Sequence, residues 1–289
     1  MMNFDDQDGE IWFDGRLIPW RDAKIHVLTH GLHYASCVFE GERVYSGAVF
    51  KLRDHSQRLI DSGKILGFEI PWTVEQIDAA TNAAVKAAGH QDAYVRPIAW
   101  RGAEQLGVSA QATKIHLAIG VWEWPSYFSP EARNRGIKLT RGPWRRPAPD
   151  TAPVKAKASG LYMICTLSKH EAEAKGFDDA LMLDYRGRLA ESTGANLFLV
   201  QNGELHTPEP DCFLDGITRR SVIGLAKKRG IKVIERALMP AELDKADEVF
   251  VTGTAAEVTA VGQIDEYNFQ VGPVTRQLRD DYEKLVRTV

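Results

Sequence analysis

The chain has 289 residues, 44% apolar and 26% charged, with 24 Gly and 13 Pro; it can build a core and is neither disordered nor collagen-like. Its formal charge of −3 offers no electrostatic footprint for nucleic acid or an anionic membrane, and no run nears the ~18 apolar residues that span a bilayer. At this length single cores usually stop growing, which implies two domains. The segment 1–10 carries Asp5, Asp6, Asp8 and Glu10 and lacks the apolar stretch of a signal peptide. Cys37, Cys165 and Cys212 are an odd, scattered set that fits a reducing cytoplasmic compartment.

In chain order, Ile11–Phe13 and Arg16–Ile18 flank Asp14-Gly15, a strong hairpin signal. A second hairpin is expected at 42–45 and 48–52, turning at Ser46-Gly47. Residues 53–67 and 74–88 read as helices, the second opened by a capping box of Thr73 and Gln76. Strands follow near 93–100 and 114–123, and Pro97 points to a strand edge or end. Prolines then crowd 124–153, placing an interdomain linker at 125–136 between a small domain, 1–124, and a large one, 137–289. The second half alternates: a strand at 137–140, a helix at 161–175, a strand at 179–184, and a hairpin of 196–200 with 204–206 about Asn202-Gly203. A helix at 218–229, strands at 231–236 and 248–252, and a last helix at 274–287 complete it. The mixture without a strict βαβ repeat points to an α+β fold.

Several signatures are absent: no Gly-x-Gly-x-x-Gly loop, Walker loop, nucleophile elbow or His-Glu-x-x-His helix occurs. His26, His30 and His33 have helical spacing, but no carboxylate or Cys lies near enough in sequence to complete a metal set, and His26–Leu28 reads as strand; no metal site is assigned. Asp215-Gly216-Ile217-Thr218 precedes a helix and is a ready anion site, or an ordinary cap. Thr252–Glu257 forms a second Gly/Thr turn able to present successive N–H groups. Lys155 and Lys157 lie among small residues before an apolar helix, a place where an amine is either desolvated or part of a solvated linker. Glu191 ends a strand. Two anion turns, an amine and a carboxylate match what pyridoxal 5'-phosphate needs.

The order of these motifs resembles the fold-type IV aminotransferases, and among them the branched-chain amino acid aminotransferases, from Ile11 to about Glu283. The residues that carry the resemblance are His33-Tyr34 with Val38-Phe39-Glu40-Gly41; Arg58; Tyr94-Val95-Arg96-Pro97; Lys157–Gly160 with Tyr162; Glu191 with Asn196-Leu197-Phe198; and Gly216–Arg219 with Gly253–Glu257. The resemblance implies a two-domain enzyme with pyridoxal 5'-phosphate at the domain interface, Lys157 as its Schiff-base lysine within the large domain, and Glu191 at its pyridine nitrogen. Tyr162 would lie near its O3′, with Arg58, Ile217, Thr218 and Thr254 around its phosphate. Thr254 and Ala255 would take the substrate α-carboxylate; Phe39, Trp124 and Tyr127 an apolar side chain; and Tyr94 with Arg96 the distal carboxylate of glutamate. Tyr34 and the loop at Leu106–Val108 would reach a second copy's site, implying at least a homodimer.

The implied reaction passes the amino group of L-leucine, L-isoleucine or L-valine to 2-oxoglutarate by ping-pong half-reactions. Three positions depart from the pattern: Ser192–Ala195 after Glu191, Leu161 where Asn is common, and Ala35 for a frequent Gly. The first is nearer to D-amino acid and (R)-amine transaminases and to aminodeoxychorismate lyases, which stand as the alternatives; a non-enzymatic cofactor carrier would have no use for Arg96.

Overall fold

The structure, a computed structural model, describes residues 3–124 and 130–288. The chain divides into two compact units. One comprises Met1–Pro125 with Ala156–Gly160, the other Ser126–Lys155 with Leu161–Val289. This differs from the sequence expectation in two respects: residues 130–135, expected within an interdomain linker, form a helix of the second unit, and the Lys157 segment belongs with the first unit. Backbone pairing is the reason for the second. Phe39 N donates to Lys157 O, Lys157 N donates to Ser62 Oγ, and Val38 bridges Ala158.

The first unit contains β1 (Glu10–Phe13), β2 (Arg16–Pro19), α1 (His30–Tyr34), β3 (Cys37–Phe39), β4 (Glu42–Tyr45) and β5 (Ala48–Val49). It continues with α2 (Leu52–Ile65), α3 (Val74–Ala88), β6 (Ala93–Arg101) and β7 (Ile115–Glu123). The strands form one sheet in the order β2-β1-β7-β6-β4-β5, with β3 also paired to β6. Both expected hairpins form, and α3 opens with the reciprocal Thr73–Gln76 cap. Residues 26–28 form a turn, with Leu28 N donating to His26 Nδ1, rather than the expected strand.

Pro97 departs from its expected edge position and lies mid-strand in β6. There β3 gives way to β4 as the neighbouring strand, and the Pro97 carbonyl accepts from Glu40 N. A residue without an N–H is tolerated where the ladder changes partner. Alternation along β6 and β7 splits the sheet into two faces. Val95, Ala99, Leu117, Ile119 and Val121 pack with Leu59, Ile77, Ala80 and Ala84 of α2 and α3 into the core. Arg96, Ile98, Trp100, Ala118, Gly120 and Trp122 face a cavity of about 470 Å³.

The second unit contains α4 (Pro130–Arg135), β8 (Ile137–Arg141), α5 (Met163–Ala174), β9 (Asp179–Leu183), β10 (Leu189–Ser192), β11 (Asn196–Gln201) and β12 (Glu204–Thr207). It ends with α6 (Ile217–Lys228), β13 (Val233–Glu235), β14 (Glu248–Gly253), β15 (Glu257–Ile264), β16 (Tyr267–Asn268) and α7 (Pro273–Val286). Strands run β10-β9-β8-β15-β14-β11-β12-β13, and β10 also pairs with β11, so six of them close on themselves. The closing pair is Glu191 with Asn196. Ile137, Leu139, Leu181, Leu197, Val249 and Val261 belong to the core of this unit. Parallel pairs occur at β8–β9, β8–β15 and β12–β13, giving the mixed sheet of an α+β fold.

Glu42 is a buried acid in the first unit, and neither carboxylate oxygen has a hydrogen-bond partner among the described residues. Burial, reinforced by the Glu40 and Asp78 charges, pushes its carboxyl well above the usual range. Above the ordinary value of 4.5 the unfolded chain releases this proton while the folded chain keeps it, so Glu42 lowers stability as pH rises. Glu42→Leu should raise stability by about 1–3 kcal/mol near neutral pH, with the gain shrinking toward pH 4.5. Thermal melts across that range would check it; a loss of stability at neutral pH would show that Glu42 is satisfied.

Candidate active site

The candidate residues fall into one group in each unit. In the first, the organising group is Glu40, which has no exposure. One oxygen accepts from Arg58 Nε at 2.7 Å; the other accepts from Arg58 Nη2 and from His55 Nδ1, each at 2.7 Å. Burial alone would raise this carboxyl, but the Arg58 charge and the hydrogen bonds from Arg58 and His55 outweigh it and hold it far below the usual range. Burial pushes His55 down, so it serves as a neutral Nδ1–H donor. The sequence places His55 and Arg58 three apart on α2, on one face of the helix.

Lys157 is partly buried, its Nζ 4.9 Å from the centre of the Phe39 ring. Burial, then the nearby Arg58 charge, pushes the amine down to about 8 against the opposing pull of Glu40. Lys155 is exposed. Lys157 thus has the environment of a tuned amine. Phe39 also stacks under Arg96, whose Cζ is 4.7 Å from the ring centre. Arg96 Nη2 donates to the Tyr94 hydroxyl at 3.3 Å, and Tyr94 packs on Trp124 and Trp122. Gly41 is required here, because a Cβ would sit 2.1 Å from the Tyr94 hydroxyl.

Among the described residues no carboxylate pairs with Arg96, and its buried Nε has no hydrogen-bond partner. It is also the one charged residue among those that line the otherwise mostly apolar cavity. Tyr34 is 45% exposed and stacked on His30. Tyr127 lies outside the described residues. His26, His30 and His33 each engage hydrogen-bond partners of their own.

In the second unit, Glu191 sits beside Arg146, whose Nε is 3.3 Å from Oε1, while Asn196 Nδ2 donates to Oε2 at 3.3 Å. Asn196 also donates to Leu214 O at 2.9 Å. A Cβ on Gly216 would fall 2.3 Å from Asn196 Oδ1, so only glycine fits where α6 begins. No side chain among the described residues caps α6, leaving the start of the helix at Ile217 and Thr218 for an anion. The next residue, Arg219, is structural: fully buried, it pairs with Asp215 and Glu235.

Thr254 and Ala255 occupy the turn between β14 and β15. Thr252 beside it keeps a buried hydroxyl without a partner among the described residues. Tyr162 ends a single 3₁₀ turn at Ser159–Tyr162 that leads into α5. In the second unit, an uncapped helix start that excludes a Cβ and a buried hydroxyl without a partner among the described residues suit a phosphate; in the first, the desolvated Lys157 amine suits an aldehyde.

Sequence reasoning missed Trp122, although its place two residues before Trp124 puts both on one strand face. It also missed Arg146, for which the sequence carries no local signal, and Asn196 as the residue joining Glu191 to the start of α6.

Residues 37–264 match the model of the class IV amino-transferase family. The branched-chain-amino-acid aminotransferase of Pseudomonas aeruginosa is 41% identical over 99% of this chain and 95% of its own length. That of Escherichia coli K12 is 38% identical over 94% and 91%. Among solved structures, a T.th. branched-chain amino acid aminotransferase with pyridoxamine 5'-phosphate matches with TM-score 0.94 and 40% identity, covering 98% of this chain and 95% of that one. The Thermoproteus uzoniensis enzyme with norvaline matches with TM-score 0.93 and 37% identity, over 98% and 96%.

The Lys157 amine yields a direct prediction. In cofactor-free protein, acetylation of Lys157 by limiting acetic anhydride, read by peptide mass spectrometry, should rise with pH through a midpoint near 8. Between about 8 and 10.5 the unfolded chain holds the extra proton, so this group makes stability rise with pH there. A midpoint at the ~10.4 of a solvated lysine would overturn the desolvated site.

Proposed function

The chain belongs to the class IV aminotransferases, and from that membership we propose that it moves the amino group of L-leucine, L-isoleucine or L-valine to 2-oxoglutarate. The products are branched 2-oxo acids and L-glutamate, formed in alternating half-reactions. The cofactor is pyridoxal 5'-phosphate. When bound, it supplies an electron sink for the pair left on the substrate Cα as the proton departs. Everything else falls to the chain's own residues.

Lys157 would carry the cofactor, and its amine, once released, would move the proton between the substrate Cα and C4′ of the cofactor, in opposite directions in the two half-reactions. An amine at about 8 is well matched to both directions near neutral pH. Glu191, flanked by Arg146 and Asn196, holds a proton on the pyridine nitrogen. Tyr162 donates toward the phenolic oxygen. Arg58, the start of α6 at Ile217 and Thr218, and Thr254 hold the phosphate. Thr254 and Ala255 take the substrate α-carboxylate.

Arg96 is the observation that carries the substrate reading. No carboxylate among the described residues pairs with it, its buried Nε is unsatisfied, and it lines an apolar cavity while stacked on Phe39. A cation set in an apolar wall needs an anion from the ligand. The distal carboxylate of glutamate or 2-oxoglutarate supplies one; the side chain of leucine meets Phe39, Trp124 and Tyr127 instead. One pocket then serves both partners of the exchange.

The working assembly is at least a homodimer, in which Tyr34 and the Leu106–Val108 loop complete the second copy's pocket. Their exposure in one chain, 45% for Tyr34 and 88% for Val108, supports this. Cys37, Cys165 and Cys212 are buried thiols, in keeping with a reducing cytoplasmic setting. No helix among the described residues is long and apolar enough to cross a membrane.

Three measurements test the reading. Arg96→Ala should raise the KM for 2-oxoglutarate by roughly ten- to a hundredfold, the ~1.5–3 kcal/mol of a charged hydrogen bond, and change leucine much less. Equal shifts for both substrates would remove Arg96 from the distal-carboxylate role. Strong turnover of D-alanine or (R)-1-phenylethylamine with pyruvate, and little of leucine, would overturn the substrate class. Separately, Glu191→Gln should bind cofactor yet lose orders of magnitude in kcat, because a neutral amide holds the nitrogen's proton poorly. Near-normal turnover in that variant would mean another acid serves the ring.

A further inference from the structure

The loop 102–114, which joins β6 to β7, carries an apolar tip whose Leu106 and Val108 are exposed. Its base is held by backbone bonds between Gly102 and Lys114 and by Glu104 accepting from Lys114 N. Its returning arm is held where Arg101 donates to Ala110 O. The tip between these ties is fastened through His30. Nε2 of this ring lies 2.8 Å from the Gly107 carbonyl, so it bears the proton and donates; Nδ1 accepts from Ser36 Oγ at 2.5 Å. The His30 backbone N–H donates to Gly102 O. The face of the same ring stacks on Tyr34, with centroids 4.6 Å apart. His30 itself is buried. One imidazole therefore sets the position of two exposed apolar features far apart in sequence.

We propose that His30 is a positioning residue that holds Tyr34 and the Leu106–Val108 tip in one fixed relation, and so shapes the side-chain pocket of the neighbouring subunit. The proposal rests on the reading above that these two elements wall the site of a second copy. Exposed apolar groups held by a buried polar ring are prepared to meet a partner surface, and a loop tip loses its register when its anchor is removed. Ser36 acts through His30: its hydroxyl occupies Nδ1 and thereby keeps the proton on Nε2, facing Gly107. These contacts of His30 involve neither the cofactor-bearing Lys157 nor the Arg58 network, so its effect is confined to the donor side chain.

The test uses holoenzyme. His30→Ala should raise the KM for leucine roughly ten- to a hundredfold, with kcat changed much less and the visible absorbance of the bound cofactor unaltered. His30→Gln, which keeps an N–H within reach of Gly107 O, should recover most of the loss. If His30→Ala does not fold, Ser36→Ala should show the same KM effect in weaker form. Unchanged KM in the folded variants overturns the proposal, as does an equal loss of kcat and cofactor absorbance.

Subunit mixing then locates the effect. In a hybrid of a His30→Ala chain with a Lys157→Ala chain, the one working lysine belongs to the His30→Ala chain, and its pocket receives Tyr34 from the chain with His30 intact. Wild-type KM in the hybrid is the expected result; the raised KM would mean that His30 serves its own pocket and would overturn the proposal. Failure of the substrate reading is seen separately, as absent leucine turnover in the unsubstituted enzyme.

Discussion

The carboxylate of Glu40 is where the charges of the first unit are balanced. Unexposed, it accepts three hydrogen bonds from Arg58 and His55, and it stays ionised because Arg58 outweighs the penalty of burial. Arg58 in turn helps to push the Lys157 amine down to about 8. Remove the Glu40 charge and two consequences follow: Arg58 loses the partner that fixes its guanidinium plane, and Lys157 faces an uncompensated cation. The placement of Arg58 and the balance of charge at Lys157 thus both depend on one buried acid. Glu42, two residues on and equally buried, has no such hydrogen bonds among the described residues and stays protonated, so two glutamates two positions apart carry opposite states.

The second unit solves a different problem, that of distance. In the function proposed above, a carboxylate for a ring nitrogen and a helix start for a phosphate must be held a fixed separation apart. Glu191 and Asn196 are the pair that closes the strands of this unit on themselves. Asn196 bonds Glu191 on one side and presses its Oδ1 against Gly216 on the other. The same residue that closes the sheet therefore sets the spacing between Glu191 and the start of α6. Glycine at 216 follows from this contact, since any Cβ would displace the amide; the backbone there, at φ −63°, asks for nothing special.

Much of this is legible before any coordinates. Short-range signals translate directly: the Asp14-Gly15 hairpin, the Thr73–Gln76 cap and the helix starting after Gly216 all form. Lys157 and Arg96 are marked by the resemblance, and the structure surrounds the first with a desolvating environment and stacks the second on Phe39. What is not legible depends on contacts across the fold. Pro97 reads as an edge residue because a sequence does not show that β3 hands over to β4 opposite it. The return of Ala156–Gly160 to the first unit rests on single bonds to Phe39 and Ser62, and nothing in that stretch announces them. Arg146 looks like one more charge in a proline-rich segment, yet it is buried beside Glu191.

The departures from the family pattern are absorbed by the scaffold. Thr193 donates its hydroxyl to Asp179 Oδ1 at 2.6 Å, Ser192 bonds back to the Ala195 carbonyl, and Ala195 packs where Gly253 leaves room. The side chains that distinguish Ser192–Ala195 thus bond within their own turn and to β9. Ala35 adopts φ +55°, the left-handed conformation in which glycine is usual, at the end of α1. Its methyl reaches toward Gly160, where a further Cβ would approach to 3.0 Å. That places a small residue, strained by ~1–2 kcal/mol, between Tyr34 and the segment that bears Lys157. Substrate choice is then better read from Arg96 in its cavity than from these turns. A cation whose buried Nε lacks a partner among the described residues favours an anionic ligand group, whereas a turn whose polar groups already bond one another imposes little on what binds nearby.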